Sequence, residues 1–111
     1  MEKRMSEIIE ISEENFDHEV LNSMVPVLVD FSAGWCGPCK MLEPVVEEMA
    51  AEWGGSVKVV RLDVDHSPNI AMNYQIMGVP TLMLFRGGQA LERVTGYLPK
   101  PRIMDKFSVH I

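Results

Sequence analysis

Residues 27–41 read VLVDFSAGWCGPCKM, and the pattern within this stretch decides the fold. Its first five residues are apolar except for Asp30, which is typical of a β-strand covered on both faces. After a short glycine-containing passage, apolar side chains recur at helical spacing from Pro38 to Trp53, as in an amphipathic helix. The stretch therefore predicts a buried strand that leads directly into a helix, with Cys36 and Cys39 at the junction.

Apolar periodicity and turn residues predict the other elements on either side of this stretch. Ser12 is a candidate N-cap for an early helix, and Gly87-Gly88 has the signature of a hairpin turn. Strands that alternate with helices indicate a parallel unit, and the hairpin adds antiparallel strands. We therefore expect an α/β protein with a mixed sheet and helices on both faces. The predicted strands outside the opening stretch cover residues 7–11, 57–64, 80–86 and 90–95, and the predicted helices cover residues 12–22, 67–74 and the segment after Pro101.

The chain has 111 residues and an ordinary globular composition, with 47% apolar and 23% charged residues, which predicts one domain. Sixteen acidic residues against ten Lys and Arg give a net charge of −6, so no broad cationic face is expected to bind nucleic acid or anionic lipid. The longest apolar runs have the length of strands rather than of a membrane span, and the N-terminal residues do not resemble a signal peptide. We therefore expect a cytoplasmic protein without nucleic-acid or membrane partners.

The two cysteines are too few for a disulfide-stapled scaffold, so we expect them to serve chemistry or metal binding. Cys36 and Cys39 stand three positions apart at a helix start, where a small disulfide ring can close and where the helix dipole favours the thiolate of Cys36. A zinc site would need a second pair of ligands, and the three histidines are not paired at ligand spacing. An inert structural disulfide with so short a ring would restrain little chain entropy. Redox use is the favoured interpretation, with the other two as open alternatives.

Residues 29–41 are similar to the active-site segment of the thioredoxin family, and the resemblance extends along nearly the whole chain. It implies a thioredoxin fold, in which a mixed five-stranded sheet is flanked by helices on both faces. It also implies a single domain over residues 1–111, in which residues 1–6 form a loose extension. The further motifs that carry the resemblance are Asp63-Val64-Asp65, Gly78-Val79-Pro80-Thr81, Gly87-Gly88 and Gly96.

The resemblance implies roles for three residues of the opening stretch. Cys36 is expected to be the nucleophile, and Cys39 the buried resolving thiol. Asp30 corresponds to the buried carboxylate that accepts the Cys39 proton through water in this family. The residue pattern agrees with that role, because a carboxyl within an apolar strand has a raised pKa unless it is paired, and a raised pKa suits a general base near neutral pH. An Asp30 that is simply paired and structural is the alternative.

A flat, mostly uncharged rim around Cys36 is also implied, and such a rim would accept many different protein disulfides. Pro80 resembles the cis-proline that lies opposite the disulfide in this family, where the backbone of Val79 would pair with an incoming peptide. An ordinary proline at the start of a strand is the alternative. The residues expected in the rim are Trp35, Gly37, Pro38, Val79, Pro80, Gly96 and Tyr97.

Several residues depart from the family pattern. Arg61 occupies a place often held by Lys near the buried carboxylate. We expect it either to pair with Asp30 and keep it ionised, or to lie along its strand with the guanidinium in water. Ser32 stands where many members have an aromatic residue, which suggests looser packing beneath the active-site loop. Thr95 and Tyr97 occupy rim positions that are more often small and apolar, and they bear on the choice of partner.

Methionine is numerous, and most methionines occupy positions that are typical of core packing or of contacts between helices. Because the thioether is flexible, it fills irregular gaps well, so we expect packing roles rather than metal binding. The residues concerned are Met41, Met49, Met72, Met77, Met83 and Met104.

The function implied by the resemblance is reduction of protein disulfides through the Cys36–Cys39 couple, which a thioredoxin reductase of unknown type recharges. Gly37 and Pro38 resemble the strongly reducing branch of the superfamily and, together with Arg61, are expected to tune the couple. Beyond the Cys36–Cys39 disulfide, no bound cofactor or metal is expected. The competing hypotheses are an oxidant or isomerase on the same fold, a binding subunit in which electron transfer is incidental, and a zinc-binding module.

Overall fold

The computed structural model describes residues 8–111, so the loose extension expected at residues 1–6 lies outside the described part of the chain. The helices are α1 (Gly37–Trp53), α2 (Pro68–Asn73) and α3 (Lys100–Ser108), and a short π-helical turn covers Asp17–Leu21. The strands are β1 (Ile9–Ile11), β2 (Val27–Ser32), β3 (Lys58–Asp63), β4 (Thr81–Arg86) and β5 (Gln89–Thr95).

All five strands belong to one sheet in the order β1-β3-β2-β4-β5. β1 and β2 both run parallel to β3, whereas β4 runs antiparallel to β2 and to β5. The β4–β5 hairpin turns at Gly87 and Gly88, which both have positive φ values (58° and 82°) that glycine adopts without steric cost. The predicted mixed sheet and its closing hairpin are therefore confirmed.

The two faces of the sheet carry separate hydrophobic cores, because side chains alternate between the faces along each strand. On one face, Leu28 and Leu84 pack with buried residues of α1 and α3. On the other, Val29 and Phe85 pack with the segment around the π-helical turn and with α2. Each fully buried large apolar side chain of this kind contributes about 1.5–3 kcal/mol. Helices on both faces were expected, and the structure confirms them.

The strand β2 and the helix α1 meet at the cysteines as the opening stretch predicts. Cys36 is the N-cap residue of α1, and Pro38 lies in the first turn, where a missing backbone N–H costs little. The helix ends at Gly54, which adopts φ 57° and donates its N–H to the carbonyl of Ala50 at 3.0 Å. This left-handed cap is one that glycine forms readily. Within residues 8–111, none of the helices is long and apolar enough to cross a bilayer.

The helix expected over residues 12–22 is wrong in extent. Ser12 makes the side-chain bonds of an N-cap, because its Oγ accepts from the Glu14 N–H at 3.3 Å and its own N–H donates to Asn15 Oδ1 at 2.8 Å. Turns rather than a regular helix follow at residues 13–15. Only the π-helical turn follows, in which the Asn22 N–H donates to the Asp17 carbonyl at 2.9 Å.

The packing roles expected for the methionines are only partly correct. Met49 and Met83 are fully buried, whereas Met41, Met72 and Met77 are exposed. Met77 lies in the connection between α2 and β4, and the rest of residues 8–111 leave it almost fully exposed.

Candidate active site

Cys36 and Cys39 form a disulfide across the first turn of α1, with their Cα atoms 5.3 Å apart. The backbone N–H of Cys39 donates to Cys36 Sγ at 3.1 Å. Both residues are buried, with exposed fractions of 3% and 4%, so the predicted burial holds for Cys39 but extends to Cys36 as well.

The start of α1 favours negative charge on Cys36. Cys36 Sγ accepts a backbone N–H at the positive end of a helix that is 17 residues long, and both features stabilise a thiolate relative to a thiol. The first turn of α1 contains no acidic residue to oppose this effect. A thiolate is the species that attacks disulfides, so this end of the helix is suited to dithiol–disulfide exchange.

The segment before β4 lies beside the disulfide. Cys36 Sγ is 3.7 Å from the carbonyl oxygen of Val79, and the Val79–Pro80 peptide bond is cis. The N–H of Gly96 donates to the Pro80 carbonyl at 2.8 Å, which places the end of β5 next to the same segment. The fold thus brings together Cys36, Val79, Pro80 and Gly96, as the sequence predicts.

Trp35 is 72% exposed beside the disulfide, and its Nε1 donates to Asp65 Oδ2 at 2.8 Å. Sequence reasoning missed this bond. A signal was present: Asp65 lies two residues after β3, and the ends of the parallel strands β2 and β3 meet at the same edge of the sheet. The bond fixes the orientation of an exposed aromatic ring on the active-site surface.

The other expected rim residues differ in exposure. Gly37, Pro38 and Tyr97 are exposed, whereas Pro80 is buried and contributes no rim surface. Beside Trp35 the surface forms a shallow cleft lined without charged side chains, called here the apolar cleft. Its lining residues are Trp35, Val64, Ile76, Met77, Gly78 and Val79.

A row of charged residues crosses the sheet beneath α1. The register pairs Glu10 with Arg61 and Arg61 with Asp30, so all three side chains emerge on one face of the sheet. Arg61 Nε donates to Asp30 Oδ2 at 3.3 Å, and Arg61 Nη1 lies 3.7 Å from Glu10 Oε2. Of the two arrangements expected for Arg61, the structure contains the pairing with Asp30.

Asp30 is 2% exposed, and burial raises its pKa from 3.8 to about 6, although the charge and hydrogen bond of Arg61 act in the opposite direction. Asp30 lies two residues along β2 from Leu28, which packs against α1. The alternation of side chains therefore places Asp30 on the α1 face, at the end of β2 that leads to the cysteines. Its Oδ1 accepts no hydrogen bond from residues 8–111.

The described residues hold no group of three or more His, Cys, Asp or Glu side chains that is arranged to bind a metal ion. The redox-active group of the site is the disulfide itself.

Comparison with known proteins points to the same dithiol–disulfide chemistry as the geometry of the site. The thioredoxin family model matches residues 7–108. Thioredoxin 1 of Nostoc sp. is 45% identical over 96% of this chain and 100% of its own length, and the thioredoxin of Synechocystis sp. is 50% identical over the same shares. Thioredoxin M5, chloroplastic, of Oryza sativa subsp. japonica is 44% identical over 93% of this chain and 62% of its own. The chain belongs to the thioredoxin family and is a thiol–disulfide oxidoreductase that reduces protein disulfides.

Proposed function

We propose that Cys36 is the attacking thiol, that Cys39 resolves the mixed disulfide and that Asp30 accepts the Cys39 proton. The observation that carries the first assignment is the position of Cys36 Sγ, which accepts the N–H of Cys39 at the start of α1 and lies 3.7 Å from the Val79 carbonyl. A sulfur that accepts a hydrogen bond at a helix N-terminus, and that lies beside the segment expected to contact the target, is suited to attack the target disulfide.

The reaction proceeds in two exchanges. The Cys36 thiolate attacks one sulfur of the target disulfide, so a Cys36–target disulfide forms and the other target sulfur leaves as a thiolate. The Cys39 thiol then loses its proton and attacks Cys36 Sγ, which releases the second target sulfur. Cys36 and Cys39 are oxidised to the disulfide seen in the structure, and the target gains two electrons and, from solvent, two protons.

The burial and the raised pKa of Asp30 support its role in the second exchange. With a pKa of about 6 it is mostly ionised at neutral pH, and its unbonded Oδ1 can take a proton through water. A base whose pKa lies near the working pH is efficient in both accepting and releasing a proton. Arg61 keeps this pKa from rising further, which supports a tuning role for Arg61 alongside Gly37 and Pro38.

Target proteins dock on the rim around the disulfide in this proposal, with contacts to Trp35, Val79, Gly96 and Tyr97. The exposed Trp35 ring and the uncharged apolar cleft support docking of protein chains of varied sequence. The backbone of the half-buried Val79 can pair with an extended segment of the target. Pro80 acts from beneath, through the cis bond that presents Val79.

The partner that recharges the couple is a thioredoxin reductase, and its electron donor is open. A cytoplasmic site of action is supported by the use of both cysteines for redox chemistry, as is typical of reducing compartments. Because a relative from rice is named as chloroplastic, a plastid-like stroma is the competing location.

The proposal that the chain forms a single domain is supported by the two hydrophobic cores, which share one sheet.

A pair of matched variants tests the assignment of the two cysteines. Cys36→Ser should abolish dithiothreitol-dependent reduction of insulin, because no attacking thiolate is left. Cys39→Ser should attack normally and accumulate a covalent complex with insulin, because resolution is blocked. The measurements are insulin turbidity for activity and non-reducing electrophoresis for the trapped complex.

The control is circular dichroism of both variants, which should match the reduced parent protein. A Cys36→Ser protein that keeps full activity would refute the assignment. Trapping by Cys36→Ser instead of Cys39→Ser would reverse the roles of the two sulfurs.

A further inference from the structure

Met77 presents an exposed apolar side chain at the active-site surface. It is 94% exposed, although it lies directly before the Gly78-Val79-Pro80 segment that faces the disulfide. Because nearly all of the side chain is exposed to solvent, both a docking protein and a small oxidant can reach the thioether sulfur.

The backbone directly before Met77 is held in place by hydrogen bonds. The N–H of Ile76 donates to the Ala71 carbonyl at 2.9 Å. From β5, Arg93 donates to the carbonyls of Gln75 and Tyr74 at 3.1 and 2.6 Å. Met77 is therefore exposed in a connection whose backbone is fixed by hydrogen bonds.

Met77 shares the apolar cleft with Trp35 and Val79. Trp35 is fixed by its bond to Asp65, and the Val79 carbonyl is 3.7 Å from Cys36 Sγ. A target segment that pairs with Val79 while its disulfide meets Cys36 must pass over this cleft. The segment that occupies the apolar cleft is therefore an extended part of the target protein next to its disulfide. This assignment of the occupant rests on the proposed function.

Sulfoxidation would change how Met77 meets such a segment. A hydroperoxide transfers one oxygen atom to the thioether sulfur: its O–O bond breaks, an S–O bond forms, and the sulfur loses two electrons while the peroxide is reduced to water or an alcohol. The product is polar where the thioether was apolar, and methionine sulfoxide reductases reverse the change. A sulfoxide facing an apolar target residue loses hydration without gaining a partner.

We propose that Met77 is a site of reversible oxidation by hydroperoxides, and that its sulfoxide weakens docking of protein substrates while the Cys36–Cys39 chemistry stays intact. Oxidative conditions would thereby lower the flow of electrons to targets that use the apolar cleft. Small disulfides that do not cover the cleft would still be reduced.

Met24 provides a matched control. It is 98% exposed, but it precedes β2 at the end of the strand opposite the disulfide. Six strand residues separate the two ends by about 20 Å. Oxidation of Met24 should therefore proceed as readily as that of Met77 without reaching the docking surface.

The test treats the parent, Met77→Leu and Met24→Leu proteins with hydrogen peroxide in the disulfide form, in which neither cysteine is a free thiol. Peptide mass spectrometry locates the added oxygen atoms. Each protein is then assayed before and after treatment with insulin and with hydroxyethyl disulfide, using dithiothreitol as reductant, so that every variant is compared only with itself.

We expect kcat/KM for insulin to fall about tenfold in the treated parent and in Met24→Leu, as for an unpaired polar group in an apolar contact. Met77→Leu should keep its own untreated value, hydroxyethyl disulfide should be reduced at an unchanged rate, and methionine sulfoxide reductase should restore the parent. The inference is overturned if Met77 is not oxidised, if its sulfoxide leaves the insulin rate unchanged, or if Met77→Leu loses as much as the parent. If the untreated parent reduces neither disulfide, the proposed function itself has failed.

Discussion

The buried pair of Asp30 and Arg61 differs from the exposed contacts that Lys100 makes with Glu48 and Glu52. Asp30 is almost completely buried, and Arg61 Nε is 3.3 Å from its Oδ2. Lys100, at the start of α3, bonds to Glu52 and lies 3.3 Å from Glu48, two glutamates of α1 that face solvent. Both clusters join opposite charges, but only one of them does so away from water.

The difference shows where charge can do chemistry in this protein. Water screens the Lys100 cluster, and exposed ion pairs contribute little to stability. Burial instead raises the pKa of Asp30 to about 6 against the effect of Arg61, so its protonation state changes close to neutral pH. The pair that contains Asp30 therefore lowers stability but supplies a carboxylate that can accept a proton near neutral pH. The exposed cluster does neither.

Removal of the cation that pairs with the buried Asp30 should have the largest effect. In Arg61→Met, Asp30 loses the partner that lowers its pKa, and the free energy of unfolding at pH 7 should fall by about 3–5 kcal/mol, as when one member of a buried ion pair is removed. At pH 4 Asp30 is protonated in both proteins. Ionisation of Asp30 between its pKa of about 6 and pH 7 contributes only about 1.4 kcal/mol in the parent, so the loss at pH 4 should be smaller by up to that amount, and the remainder reflects the lost hydrogen bond and packing of Arg61. Urea denaturation at the two pH values measures both quantities.

Arg61→Lys is the matched variant, because it keeps a positive charge near Asp30 and should recover most of the lost stability. An Arg61→Met protein as stable as the parent at pH 7 would show that the contact between Arg61 and Asp30 has no energetic role.

The strands and helices near the cysteines could be predicted because their signals are local. The apolar run around Asp30 and the helical spacing after Pro38 depend only on neighbouring residues, and the structure contains both elements. The local signal of the early helix is also present, since Ser12 makes the bonds of an N-cap, but turns occupy residues 13–15 and only the π-helical turn follows.

The side-chain contacts of the site were harder to predict because they depend on strand register. One sequence does not reveal that Arg61 stands opposite both Glu10 and Asp30, so two arrangements of Arg61 were equally reasonable. The bond from Trp35 to Asp65 and the exposure of Met77 likewise follow from how separate loops meet at one edge of the sheet. The spacing of methionines alone could not distinguish Met77 from the buried Met83.

Removal of the buried carboxylate should have the next largest effect, and with the opposite sign. A carboxyl whose pKa is raised on folding, here from 3.8 to about 6, stabilises the protein below its unfolded pKa, and that contribution is lost as the pH rises through the folded pKa. Because asparagine does not titrate, Asp30→Asn does not lose stability in this way as the pH rises. The difference in unfolding free energy, Asp30→Asn minus parent, should therefore increase by on the order of 3 kcal/mol from pH 3 to pH 7.

The same variant should slow the second exchange by about a hundredfold at pH 7, with little change in the attack by Cys36. Stopped-flow tryptophan fluorescence with insulin separates the two steps. A pH-independent stability difference would show that Asp30 has an ordinary pKa, and equal resolution rates would remove it as the proton acceptor.

The exposed cluster should respond least. The bond to Glu52 raises the pKa of Lys100, so its contribution is present at neutral pH and is lost only as the pH rises through that raised value. Lys100→Met should lower the urea midpoint at pH 7 slightly in low salt and not at all in about 1 M salt, where the Debye length is about 3 Å. Insulin reduction should be unchanged. Because Asp30 is buried away from the added ions, Arg61→Met should keep most of its loss in the same salt. A Lys100→Met loss of equal size that does not depend on salt would show that water does not screen the Lys100 cluster more than the contact between Arg61 and Asp30.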